Sequence, residues 1–64
     1  MDKTLEVLLK QVRDKRDQIV EAVANNAAKD YSEYQKLCGE IRGLSIAEGF
    51  ILDLADQMER NDDE

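Results

Sequence analysis

Asp53, Asp56 and Glu59 stand three residues apart, close enough on a helix for their carboxylates to gather along one side. Paired carboxylates do acid/base chemistry in a concave, partly dehydrated site, and a hairpin of two helices supplies none. Asp62-Asp63-Glu64 lack the spaced ligands and the glycine of a calcium loop. The expectation for both groups is a solvated acidic face. A sharper alternative is mimicry of a phosphate backbone, with these side chains entering a partner's nucleic-acid groove. The single cysteine, Cys38, would need a base or a cation beside it to act as a nucleophile, and the chain contains no histidine. It reads as a small buried hydrophobe on the apolar stripe next to Leu37 and Ile41. No catalytic residue, metal site or cofactor site is expected, and the chain is not expected to be an enzyme.

Gly39, Gly43 and Ala47 recur every four residues and so share one side of a helix. Glycine costs up to about 1 kcal/mol relative to alanine within a helix, so two at this spacing call for a reason. One reason is close approach of another helix, with Ile46, Phe50 and Leu54 beside them as knobs; the other is bulky side chains facing them within the fold. Their distance from the main stripe favours an intermolecular contact. The predicted interface is therefore Gly39, Gly43, Ile46, Ala47, Phe50 and Leu54.

The elements that carry these residues follow from apolar spacing. Leu5, Leu8, Leu9, Val12, Ile19, Val20 and Val23 recur at helical intervals and predict a first helix over about 2–24. Asn25-Asn26 is the best break, because asparagine tolerates left-handed and turn conformations, which predicts a turn over about 25–30. Asp30 with Glu33, or Ser32 with Gln35, offers a capping box for a second helix over about 31–60. Residues 61–64 are expected to fray as an acidic tail. So short a connection favours antiparallel neighbours. The predicted fold is all-α: an antiparallel helical hairpin assembling into a helical-bundle oligomer. Its predicted seam is Leu5, Leu8, Val12, Ile19 and Val23 against Tyr34, Leu37, Ile41, Leu44, Ile51, Ala55 and Met58.

Two details of that seam carry charge or polarity. Lys15 and Arg16 fall on or beside the apolar side of the first helix, and Glu48 interrupts the stripe of the second. The expectation is that the basic stems cover the seam with their charges in water; the alternative pairs Arg16 or Lys15 with Glu48. Tyr31 and Tyr34 are expected to close one end of the bundle, rings on the seam and hydroxyls in water.

A chain of 64 residues allows one domain, which can barely cover a core without a disulfide, a metal or a partner. One cysteine rules out an internal disulfide, which leaves oligomerisation. The second helix is apolar on two opposite sides, more than a hairpin can bury alone. Net charge is −6. Residues 1–29 hold six basic and five acidic side chains, and residues 30–64 hold three and ten, so the excess negative charge sits in the second half. Such a surface repels phosphates and lipid head groups, so neither nucleic acid nor membrane is an expected partner. Met1-Asp2-Lys3-Thr4 opens a polar amphipathic segment and not a signal peptide, and Phe50-Ile51-Leu52 is too short to span a bilayer.

The segment from Asp30 through Leu44, continuing to Ala47, Ile51, Asp53 and Leu54, resembles small acidic helical proteins encoded among the head and packaging genes of tailed bacteriophages, short-tailed ones in particular. The resemblance covers about half the chain and rests on the tyrosine pair, the Leu37-Cys38-Gly39-Glu40-Ile41-Arg42-Gly43-Leu44 core and the acidic end. It implies a viral protein acting in the host cytoplasm during infection, with the virion as a second location, and a role in virion structure, assembly or packaging. It carries over no catalytic residue. Expected partners are a second copy of the chain, or another phage or host protein. The alternative function is inhibition or regulation of a host protein, with the acidic half in a nucleic-acid site.

Overall fold

Two helices account for nearly every residue of the computed structural model, which describes residues 1–62 and the side chains of residues 1–60. α1 spans Lys3–Ala24 and α2 spans Tyr31–Asp62, packed against each other as an antiparallel hairpin; no strand occurs among the described residues. The molecule measures 53 × 16 × 12 Å.

Local chemistry sets each boundary. The Asp2 carboxylate accepts from the backbone N–H groups of Thr4 at 2.8 Å and Leu5 at 3.2 Å, so Asp2 caps α1 from outside and the helix begins one residue later than its periodicity suggests. At the other end Asn26 takes φ 60°, the left-handed conformation. With it the N–H of Ala27 reaches the Ala22 carbonyl at 3.0 Å and that of Asn26 reaches Val23 at 3.1 Å. This pair of bonds closes orphan carbonyls at a helix C-terminus, and asparagine is the residue besides glycine that accepts the required φ. Asp30 then caps α2 by accepting from the Glu33 N–H at 2.8 Å. Glu33 reaches back to the Lys29 N–H at 3.3 Å and not to Asp30, a capping box stretched by one residue. Ser32 lies inside α2. That helix continues past Arg60 through Asn61 to Asp62, because no glycine or proline stops it; Asp63 and Glu64 of the expected tail lie outside the described residues.

The seam is narrow. Leu5, Leu9, Ile51 and Ala55 form a buried cluster with Val12 packed against it, and Ile19 is buried farther along. Val23, Leu37, Ile41 and Leu44 are half-buried. Among the described residues no side chain is fully enclosed. Three expected seam residues lie off it. Leu8 is 43% exposed while Leu9 is 6% exposed, because a single neighbouring helix covers only the side chains that face it squarely. Tyr34 is exposed because α2 has 32 residues against 22 in α1, so its first turns run past Ala24 beside the connection. Met58 is exposed at the opposite mouth, opposite the first turn of α1.

Candidate interaction face

Five of the predicted interface residues of α2 lie exposed, away from the buried seam. Phe50 is 69% exposed, Ile46 and Leu54 are about half exposed, and Gly39 and Gly43 lie open to solvent. A Cβ built on either glycine would find no atom within 4 Å. That removes the alternative in which bulky side chains of the same hairpin face them. Of the six predicted interface residues only Ala47 is half-buried, at the edge where this face turns toward α1. Gly43 also borders a shallow groove between the helices, lined by Lys15, Ile19, Glu40 and Leu44. Apolar character is spread more evenly around α2 than around α1. The result is a rigid, uncovered stripe of large and small apolar residues over four turns of α2.

The opposite edge of the seam is fixed by charge. Arg16 Nη1 donates to Glu48 Oε1 at 2.8 Å, and Arg13 Nε donates to Glu48 Oε2 at 2.5 Å. Arg16 also reaches the Ser45 hydroxyl at 3.4 Å. This corrects the expectation of solvated basic flanks: Arg16 is paired with Glu48, which Arg13, one turn before Arg16, also binds, while Lys15 stays exposed beside Glu40 and Gly43. Hydrogen bonds from Arg16 and then Arg13 hold the Glu48 carboxyl below its ordinary range, and donating to Glu48 raises the Arg16 guanidinium further. Arg13 was missed by sequence reasoning. Its signal was present, since Arg13 and Arg16 are one turn apart and Glu48 is the one acid on the main stripe of α2. Met1 adds a terminal contact, its ammonium 3.5 Å from Glu59.

The remaining candidates give no reactive geometry. Tyr31 and Tyr34 stack on each other, centroids 6.3 Å apart, on the outer flank of α2 and not across the end of the seam. The Tyr31 hydroxyl accepts from Gln35 Nε2 at 3.0 Å. Cys38 is a free thiol, half-buried next to Tyr34, whose phenol it pushes above its ordinary range by hydrogen bonding. It is half-buried, as Leu37 and Ile41 are, and not fully buried as expected. Asp53, Asp56 and Glu59 are exposed, with Asp56 paired to Arg60 at 3.2 Å along the helix. Among the described residues no three histidine, cysteine or acidic side chains gather as metal ligands. No described helix is long and apolar enough to cross a membrane.

No protein-family model matches this chain, and neither a curated protein nor a solved structure matches it. The case for an interface therefore rests on the arrangement itself. An aromatic ring 69% exposed on a regular helix adds little to the stability of the lone hairpin.

Proposed function

We propose that the chain is a non-enzymatic protein that works through helix–helix contacts, and that its service is to a tailed-bacteriophage particle as a small structural, assembly or packaging component. The observation that carries the first half is the uncovered apolar face of α2 centred on Phe50. It is large relative to the hairpin, fixed mid-helix, and flanked by charge, the anatomy of a protein-binding patch with a polar rim. The second half rests on the resemblance of residues 30–54 to small acidic phage proteins. Work takes place in the host cytoplasm during infection, with incorporation into the virion.

The competing reading, a regulator of a host protein that presents carboxylates to a basic site, uses the other exposed feature, the acidic excess of residues 30–64. Peptide counting on purified particles separates the two. A structural component appears at a fixed copy number per particle. Its absence from particles, together with one host protein held through Asp53, Asp56 and Glu59, would replace the first reading with the second.

A further inference from the structure

We infer that the occupant of the α2 face is a second copy of the same chain, packed antiparallel about a two-fold axis between Ile46 and Ala47. The inference rests on the helix–helix reading above and names its partner and register. Side-chain size sets the register. A two-fold axis at that point sets Phe50 of one copy against Gly43 of the other, Leu54 against Gly39, and Ile46 against Ala47. Each of the three large side chains meets a small residue, and every small residue of the face is used. A C2 interface must be self-complementary in this way, since the same patch serves both sides. Without a Cβ neighbour within 4 Å at either glycine, each has room for the knob it would receive.

Charge agrees with the register. Arg42 and Asp53 lie on the same flank of the face, and neither forms an ion pair within the hairpin among the described residues. In the antiparallel pairing each Arg42 comes within about 3 Å, measured along the helix axis, of Asp53 of the other copy. Both symmetry-related pairs form at once.

Area agrees as well. A folded monomer of 7.3 kDa is expected to expose about 4,200 Å². The hairpin exposes 5069 Å². The excess, about 900 Å², is spread over the elongated hairpin and is of the order, roughly 800 Å², that each partner buries in a stable protein–protein interface. The dimer would be a four-helix bundle with the two α2 helices at its centre and the acidic flanks in water.

Cysteine cross-linking in the full chain with Cys38→Ser reads the register directly. With Ile46→Cys the two thiols lie across the axis, and oxidation should give a covalent dimer. With Phe50→Cys they lie about 10 Å apart along the helices, beyond the reach of a disulfide, and should not cross-link. Stronger linkage at position 50 than at 46 would overturn the antiparallel register. A size exchange keeps the test independent of cysteine chemistry. Gly43→Phe should weaken dimerisation at least tenfold, and adding Phe50→Gly to it should restore dimers by reversing which copy supplies the knob. A double variant as monomeric as the single one would overturn the proposed pairing. A wild-type chain that stays monomeric while its α2 face is filled by a different virion protein would overturn the second-copy assignment and leave the functional proposal standing.

Discussion

Phe50 and Ile51 are adjacent in sequence and opposite in surroundings, 69% and 8% exposed, so replacing each by alanine should break different things. Ile51→Ala opens a hole among Leu5, Leu9 and Ala55. Truncations of this kind cost about 2–5 kcal/mol of folding stability. The low end is expected here, because no neighbour is fully enclosed and the seam can close partway around the gap. Phe50→Ala removes a ring the lone hairpin scarcely covers, so at high dilution it should change stability by no more than about 0.5 kcal/mol. Its cost appears on association. Full burial of such a side chain contributes about 1.5–3 kcal/mol. Roughly two thirds of that, about 1–2 kcal/mol, is still to be gained when a partner arrives. A symmetric dimer loses the ring twice, giving about 2–4 kcal/mol, or roughly 30- to 700-fold in the dissociation constant. Sedimentation equilibrium measures the association, and denaturant unfolding followed by circular dichroism at high dilution measures the hairpin. The reasoning fails if Phe50→Ala unfolds the dilute chain as readily as Ile51→Ala, or if it leaves association unchanged.

Gly43→Leu should behave paradoxically: higher thermal stability when dilute, because leucine is the better helix former and nothing obstructs its Cβ, but weaker association. A rise in stability with association intact would mean that Gly43 faces solvent in the assembly too. Stability should also depend on Glu48. Its folded-state pKa is depressed by Arg16 and Arg13, so its contribution is present above the ordinary glutamate value near 4.3 and is lost as pH falls through the lower folded value. Glu48→Gln should therefore destabilise at neutral pH and flatten the acid limb of the stability curve, seen in thermal melts from pH 7 to pH 2. Added salt should change self-association little: it screens the two Arg42–Asp53 pairs, but it also relieves the repulsion between copies of −6 each, and burial of apolar surface is not screened. Steep weakening with salt, and a larger loss from Asp53→Asn, Asp56→Asn and Glu59→Gln together than from Phe50→Ala, would point to the acidic face instead.

The hairpin was legible because its signals are local. Helical spacing located both helices, and Asn25-Asn26 marked the turn through the one property, tolerance of a left-handed φ, that Asn26 supplies. Cap residues could be named from type, but which backbone N–H each would reach could not, as the displaced Glu33 bond shows. The seam was harder. Periodicity cannot distinguish Leu8 from Leu9, which differ by about 100° around the helix, until the position of the neighbouring helix is known. Spacing already made α2 the longer helix, but not which of its turns overrun α1; the first ones do, which exposes Tyr34, stacked on Tyr31. The Arg13–Arg16–Glu48 contact depends on the register between helices, a tertiary property. The second face of α2 was legible in the sequence for a simple reason: its apolar residues fall on the side of the helix turned away from α1.

The chain contains a single phenylalanine, which makes the central claim measurable at one atom. With 4-fluorophenylalanine at position 50, the fluorine resonance reports whether the ring on the α2 face meets water or protein. Recorded from low micromolar to millimolar concentration, it should move from an exposed to a buried environment, and its shift between H₂O and D₂O should shrink in step. A resonance that keeps its full solvent isotope shift across that range, in a chain that remains helical, would contradict the account.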